Sequence, residues 1–148
     1  MTESKPILLV EDDIVDVMTV KRALKELKIP NQLIRVDNGE EALDYLNNKN
    51  NAKPCVILLD LNMPKMNGFE FLNIIKTDET LKDIPVVVLT TSGIEQDITE
   101  SFKLGAAGYM VKSADYDKSV ETMGAIATNW ILSESSSNGE KCYGKTKI

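Results

Sequence analysis

The segment CVILLDLNMPKMNGFEFLNIIK, residues 55–76, contains an apolar run, then an acidic residue, then a short polar stretch and a helical pattern. A short, uninterrupted apolar run such as 55–59 is typical of a strand buried on both faces of a parallel sheet. Asp60 ends that run. Phe71, Leu72 and Ile75 then recur at helical spacing, so the segment predicts a strand, a loop that begins at Asp60, and a helix over 68–76.

The same alternation of strand and helix patterns extends along the chain. Apolar runs predict four further strands, at 7–10, 33–36, 85–89 and 108–111. Helical spacing predicts four further helices, at about 15–28, 39–48, 95–104 and 116–132. Strict alternation favours a doubly wound α/β domain with five helices around a parallel sheet, for which the common strand order is 2-1-3-4-5. We assign residues 5–132 to one domain and expect the polar residues 133–148 to be disordered.

Composition excludes several classes of protein. The net charge of -6 argues against direct binding to nucleic acid, because such proteins usually display a basic patch. The sequence contains no histidine, which removes Ser-His-Asp triads and histidine-ligated zinc. No apolar stretch reaches the roughly 20 residues that span a bilayer, so we expect no membrane contact. Cys55 and Cys142 fit neither a disulfide framework nor a metal site, which favours a reducing, cytoplasmic location.

Polar residues occupy the carboxyl ends of four predicted strands: Glu11 with Asp12, Asp60, Thr90 and Lys112. In the order 2-1-3-4-5 the topological switch point lies between the first and third strands, where the acidic pair and Asp60 would meet. Three converging carboxylates repel one another, and a hard cation such as Mg²⁺ with oxygen ligands relieves that repulsion. Each residue taken singly also fits a solvated turn, and acids before a helix favour its dipole.

At these residues the sequence resembles the receiver domains of two-component response regulators, which have the flavodoxin-like, CheY-like fold. The resemblance rests on LLVEDD at 8–13, LLDLNMPKMNGFEFL at 58–72, PVVVLTTSG at 85–93 and GAAGYMVK at 105–112. It covers about residues 5–132, and the motif around Asp60 is the specific one. The segment Thr77 to Ile84 and the Thr-Thr-Ser-Gly ending are similar to the small single-domain regulators that accompany bacteriophytochrome histidine kinases.

The resemblance implies a phosphorylation site with a bound Mg²⁺ ion. Asp60 would accept the phosphoryl group from a phosphohistidine. Asp12 would ligate Mg²⁺ directly and Glu11 would assist through a water molecule, while Asn62 would contribute its backbone carbonyl. Lys112 would pair with Asp60 before transfer and with the phosphoryl group afterwards.

The resemblance also implies a conformational switch. Thr90 would bind a phosphoryl oxygen through its hydroxyl group, and the ring of Tyr109 would turn into the space that Thr90 leaves. Asn62 and Ser92, two residues after Asp60 and Thr90, would set the lifetime of the phosphoryl group. The surface formed by the fourth helix, fifth strand and fifth helix is then expected to change its partners.

Protein partners follow from the same resemblance. We expect a sensor histidine kinase, of the phytochrome type or another, or a histidine phosphotransfer protein, and a homodimer through the surface just described. Met123, Trp130 and Ile131 either pack at that dimer interface or belong to the core. Since only one domain is evident, output is expected through protein partners, and catalysis is limited to the chain's own phosphoryl transfer and dephosphorylation.

One feature departs from the family pattern. Receiver domains usually have a proline after the strand-end lysine, often with a cis bond, whereas this chain has Lys112-Ser113. A cis bond without proline costs roughly 2.5–4 kcal/mol, so we expect either a strained loop or a trans path that shifts Lys112.

Other functions fit less well. A haloacid-dehalogenase-type phosphatase requires a second aspartate two residues after the first, where this chain has Asn62, and places its nucleophile on the first strand. A flavodoxin-like carrier of FMN requires a phosphate-binding loop after the first strand, and here that loop is acidic. A phosphate-relay intermediate or a pseudo-receiver that only binds partners stays open, although the expected acceptor and metal ligands are all present.

Overall fold

The computed structural model describes residues 5–62 and 66–131, which form one five-stranded parallel sheet with helices on both faces. The strands are β1 (Ile7–Val10), β2 (Leu33–Val36), β3 (Val56–Leu59), β4 (Val86–Thr90) and β5 (Gly108–Val111). Their order is β2-β1-β3-β4-β5, so the predicted fold class and strand order are confirmed. The predicted tail 133–148 and the loop residues 63–65 lie outside the described residues.

All five predicted helices are present, with boundaries within a few residues of those expected. They are α1 (Ile14–Glu26), α2 (Gly39–Asn47), α3 (Gly68–Thr77), α4 (Glu95–Lys103) and α5 (Tyr116–Ile126). Asp13, Asn38 and Asn67 cap α1, α2 and α3 by accepting hydrogen bonds from backbone N–H groups of the first turn. The first helix ends earlier than predicted, and Lys28 follows it in the left-handed region at φ 58°.

The core consists of two apolar layers, one on each face of the sheet. Successive strand residues point to opposite faces, so Ile7 and Leu9 pack towards α1 and α5, whereas Leu8 and Val10 pack towards α2 and α3. Because β1 and β3 are buried on both faces, each is apolar at every position. This explains why the sequence shows uninterrupted apolar runs there.

The fifth helix ends in a π-helical turn, Ala127–Ile131, that belongs to the core. Met123, Trp130 and Ile131 are 2%, 7% and 1% exposed and pack in the layer that contains α1. Their proposed role in a dimer interface is therefore wrong, and the core interpretation is correct. The Trp130 ring occupies the space above Gly108, where an added Cβ atom would lie 2.7 Å from Cη2 of the indole.

The register of the sheet brings the polar strand ends together. Val10 pairs with Leu59, so Glu11 and Asp60 emerge side by side, and the Asp60 N–H donates to the Val10 carbonyl at 3.2 Å. Thr90 pairs with Val111 at the other side of the sheet, and the Lys112 N–H donates to the Thr90 carbonyl at 2.7 Å. Neighbouring carboxyl ends thus form one polar edge.

The structure decides between the two paths predicted for the loop after Lys112. No peptide bond within 5–62 and 66–131 is cis, so the Lys112–Ser113 bond takes the trans alternative. In those same ranges, none of the helices combines the length and apolarity that crossing a bilayer requires.

Candidate acidic site at the carboxyl edge of the sheet

Three carboxylates converge at the edge between β1 and β3. Glu11, Asp12 and Asp60 each offer one oxygen, and the three oxygens lie within 4.8 Å of one another. Glu11 and Asp60 are buried, at 2% and 6% exposure, while Asp12 is exposed. All the donors are hard oxygen atoms, which is the ligand set that Mg²⁺ and Mn²⁺ prefer. The residues therefore fit a divalent cation, as the sequence predicted for this edge.

The pKa of Glu11 responds to its burial beside the other acids. The pKa of Glu11 is raised to about 7, mainly by burial and also by the charge of Asp60, while the hydrogen bond from Lys112 acts in the opposite direction. Oε2 of Glu11 also accepts from the Asp13 N–H at 3.2 Å. Burial and the charge of Asp60 thus disfavour the ionised form of Glu11, which a cation beside it would stabilise.

Lys112 supplies the positive charge next to these acids. Its Nζ atom donates to Oε1 of Glu11 at 2.6 Å and to Oδ2 of Asp16 at 2.7 Å, and lies 3.6 Å from Oδ2 of Asp60. Burial alone would lower the pKa of Lys112, but the bonds to Asp16 and Glu11 and the charge of Asp60 together raise it above its usual value. The ammonium group is therefore charged, so that it can neutralise the neighbouring carboxylates.

The Asp60 side chain is held at the start of the loop that leads to α3. Its Oδ1 atom accepts from the Asn62 N–H at 3.2 Å, and the Leu61 carbonyl accepts from the Gly68 N–H at 3.1 Å. An added Cβ atom at Gly68 would lie 2.6 Å from Cα of Leu61, so the start of α3 approaches the loop as only glycine allows. Asn62, the predicted carbonyl ligand, lies two residues after Asp60 and is joined to its side chain by this hydrogen bond.

Thr90 is fully buried at the end of β4, and its hydroxyl group is one of two buried hydroxyls without a hydrogen-bond partner among the described residues. Buried polar groups are nearly always paired, since an unpaired one costs about 1–3 kcal/mol. An unpaired hydroxyl at a functional edge is the kind of group that a ligand satisfies.

Ser92 and Tyr109 belong to a separate hydrogen-bonded group at the segment between β4 and α4. The Tyr109 hydroxyl donates to the Ser92 carbonyl at 2.7 Å, and the Ser92 hydroxyl donates to Oδ2 of Asp97 at 2.6 Å. Their hydrogen bonds therefore connect β5 to this segment instead of reaching the three carboxylates.

Two residues of the site were not predicted from the sequence. Asp16 contacts Lys112, although its position in the first turn of α1 suggests only an acid that favours the helix dipole. Arg35 donates from Nε to the Glu11 carbonyl at 3.0 Å and from Nη2 to the Asp12 carbonyl at 3.4 Å, which fixes the backbone of the acidic pair. A charged residue inside the otherwise apolar strand β2 was the available signal for Arg35.

Comparison with known proteins agrees on one family. The model of the response regulator receiver domain matches residues 7–123. The response regulator Rcp1 of Synechocystis sp. is 40% identical over 131 residues, which cover 86% of this chain and 89% of Rcp1.

Two solved structures are also similar. The Mn²⁺-bound form of Rcp1 is 39% identical with a TM-score of 0.80, covering 86% of this chain and 95% of that one. The phosphorylated cyanobacterial phytochrome response regulator RcpA is 40% identical with a TM-score of 0.82, covering 88% and 96%.

Proposed function

Because this chain belongs to the response regulator receiver domain family, we propose that it is a signalling switch controlled by phosphorylation of Asp60. The observation that carries the proposal is the position of Asp60, a buried carboxylate close to two further acids, with the Lys112 ammonium 3.6 Å away. The family consists of signalling proteins, and the only chemistry proposed for the chain is its own phosphorylation and dephosphorylation.

The proposed reaction is transfer of a phosphoryl group from a phosphohistidine of a partner. A carboxylate oxygen of Asp60 attacks phosphorus, and a new P–O bond forms as the P–N bond to the imidazole breaks. The protein's task in such a transfer is to align the groups and to stabilise charge on the phosphoryl oxygens. In the proposed reaction Lys112 neutralises one of those oxygens and the Thr90 hydroxyl donates to another, which the 3.6 Å distance from Lys112 to Asp60 and the unpaired Thr90 hydroxyl support.

We propose that Asp12 and Asp60 hold a Mg²⁺ ion directly, Glu11 through a water molecule and Asn62 through its backbone carbonyl. When bound, the cation would neutralise part of the charge of the acids and of the incoming phosphoryl group. The Mn²⁺-bound form of the similar protein Rcp1 supports a divalent cation, and the oxygen donors of the cluster are compatible with either metal.

The proposed output surface consists of α4, β5 and α5. Phosphorylation would draw the Thr90 hydroxyl towards the phosphoryl group, and the segment that carries Ser92 would follow, releasing the Tyr109 ring to turn inward. Exposed apolar side chains lie on this surface, namely Ile94, Phe102 and Val111. They support a surface that binds a protein partner or a second copy of the chain.

The proposed input partner is a sensor histidine kinase of the phytochrome type or a histidine phosphotransfer protein. Similarity to Rcp1 and to the phytochrome regulator RcpA supports the first. We place the receiver unit at residues 5–132, in the cytoplasm. A phosphate-relay role would use the same Asp60 chemistry with a histidine-containing protein as the next acceptor.

The first test is the intact mass of the protein and of Asp60→Asn after incubation with acetyl phosphate, in Mg²⁺ and in EDTA. An increase of about 80 Da, the mass of one added phosphoryl group, is expected only for the wild-type protein in Mg²⁺. An equal increase in Asp60→Asn would place the acceptor elsewhere. No increase in any sample would favour a pseudo-receiver that only binds partners.

A further inference from the structure

We propose that Asp16 is a positioning residue that holds Lys112 on the α1 side of the site until phosphorylation draws the lysine towards Asp60. The inference rests on the proposed function and adds a residue that neither the sequence motifs nor the acid cluster includes. The observation behind it is that Lys112 donates to Asp16 at 2.7 Å, while its distance to Asp60 is 3.6 Å.

The geometry divides one ammonium group among three carboxylates. A lysine has three N–H donors, and the distances to Glu11 and Asp16 lie within hydrogen-bond range, whereas the distance to Asp60 lies beyond it. In the unphosphorylated protein Lys112 is thus bound more closely to Asp16 than to the acceptor. The third donor does not reach the acceptor, and moving Nζ within hydrogen-bond range of a phosphoryl oxygen at Asp60 would lengthen the Asp16 contact.

The two close partners differ in how readily they release the lysine. The Glu11 side chain is 2% exposed, so a charged Glu11 that lost Lys112 would remain without solvation. The Asp16 side chain is 33% exposed, so water can solvate its carboxylate once the lysine moves away. Asp16 is therefore the releasable partner.

Space for the movement exists beside the contact. A cavity of about 50 Å³ lies between α1 and α5, and its walls include Asp16, Thr19, Lys112, Ser119 and Thr122. Apolar surface lines most of this cavity, but its volume is sufficient for water molecules beside the Asp16 carboxylate once the ammonium group moves away.

The test combines a positional and a kinetic measurement on the full chain. The ¹⁵N spectrum of the lysine ammonium groups is recorded without phosphoryl donor, with Lys112 identified by the loss of its signal in Lys112→Arg. In Asp16→Asn we expect the Lys112 signal to move and its hydrogen exchange with water to become about two- to fivefold faster, the range that a partly exposed ion pair allows. Phosphorylation by acetyl phosphate should accelerate by a similar factor, because Lys112 becomes free to reach Asp60 and the donor.

Two variants serve as controls. Asp16→Glu keeps the charge and should restore most of the wild-type spectrum and rate. Asp13→Asn removes a charge close to the site but keeps an oxygen that can cap α1, and the Asp13 side chain makes no hydrogen bond to Lys112 in the described ranges. It measures the effect of charge alone.

An unchanged Lys112 signal in Asp16→Asn would overturn the proposal, and so would equal rates in Asp16→Asn and Asp13→Asn, or slower phosphorylation in Asp16→Asn. Thermal unfolding of each variant shows whether it is folded, and Asp16→Ser, which also removes the carboxylate, replaces Asp16→Asn in both measurements if Asp16→Asn is not. If the wild-type chain accepts no phosphoryl group, the function proposed above fails, while the spectra still show whether Asp16 holds Lys112.

Discussion

The Nζ atom of Lys112 lies 2.6 Å from Oε1 of Glu11, a carboxylate that is only 2% exposed and that comes from the opposite end of the sequence. This pair joins the ends of β1 and β5 across the site. It does not compensate the burial of Glu11 completely, since the pKa of Glu11 stays raised to about 7. Ionisation of Glu11 should therefore contribute to the pH dependence of stability in the metal-free protein.

The first prediction is that Glu11 makes the metal-free protein less stable as the pH rises from about 4.5 to 7. A pKa that is higher in the folded than in the unfolded state adds stability below the unfolded value, which is lost as the pH rises through the folded one. The loss amounts to roughly 3 kcal/mol at most. Thermal unfolding of the wild-type protein and Glu11→Gln in EDTA measures it: the difference in Tm should shift in favour of Glu11→Gln over this range.

A constant difference between the two proteins would contradict the prediction. Added Mg²⁺ should reduce the pH dependence of the wild-type protein, because a cation beside Glu11 stabilises the ionised carboxylate. Glu11→Gln lacks the titrating group, so it is the control for the wild-type protein both in EDTA and in Mg²⁺.

Thr90→Val should leave the stability of the unphosphorylated protein unchanged or raise it by up to about 1–3 kcal/mol, because the buried hydroxyl has no partner to lose. The same change should weaken binding of beryllofluoride, a mimic of the phosphoryl group, since the hydroxyl is then missing from the site. Thermal unfolding and a beryllofluoride titration in Mg²⁺ separate the two effects.

Ser101→Ala is the matched control for Thr90→Val. Ser101 lies on α4 and carries the other buried hydroxyl without a partner among the described residues. Its removal should change stability in the same direction and leave beryllofluoride binding as it is. Destabilisation by both variants would mean that water satisfies the two hydroxyls.

The segment between β4 and α4 should loosen when Asp97 is replaced. Ser92 donates to Asp97 at 2.6 Å and accepts from Tyr109 through its carbonyl, so this contact fixes the segment that the proposed switch moves. Asp97→Ala should increase amide hydrogen exchange at residues 92–95, at a cost of about 1 kcal/mol in local stability. Hydrogen exchange with mass or NMR detection measures this change.

Glu95→Ala provides the comparison, because Glu95 is the other acid in the first turn of α4. It removes the same favourable charge from the start of the helix but leaves the Ser92 contact in place. Equal exchange in the two variants would show that the hydrogen bond to Ser92 contributes nothing to the order of the segment.

The sequence predicted those features of the fold and the site that depend on a local pattern of residues. Apolar runs that end in a polar residue located β1, β3 and β4, and the strand order followed from alternation with helices, so the meeting of Glu11, Asp12 and Asp60 could be expected before any coordinates. The apolar runs are easy to recognise because strands buried on both faces tolerate few polar residues.

The contacts that sequence analysis missed join distant residues. Asp16 and Lys112 are 96 positions apart, and nothing in the local pattern distinguishes Asp16 from an acid that merely favours a helix dipole. The side-chain partner of Ser92 was likewise not predicted, since hydroxyl orientation is set by tertiary contacts. The apolar stripe of α5 correctly indicated a packed face, but periodicity alone does not say whether core or partner covers it.

The last prediction concerns the glycine at the start of α3. An added Cβ atom at Gly68 would lie 2.6 Å from Cα of Leu61 and 3.0 Å from the Asp60 carbonyl oxygen, so Gly68→Ala must displace the loop that carries the acceptor. We expect a loss of about 1–3 kcal/mol in stability and slower phosphorylation by acetyl phosphate. Gly124→Ala, in α5, is the matched control: its Cβ atom would meet only Cδ2 of Leu27, at 3.9 Å, and alanine should stabilise the helix by about 0.5–1 kcal/mol. Thermal unfolding should therefore shift in opposite directions for the two variants.

An unchanged Tm and phosphorylation rate in Gly68→Ala would mean that the backbone at Leu61 relaxes without cost, and that close packing against α3 does not hold Asp60 in place.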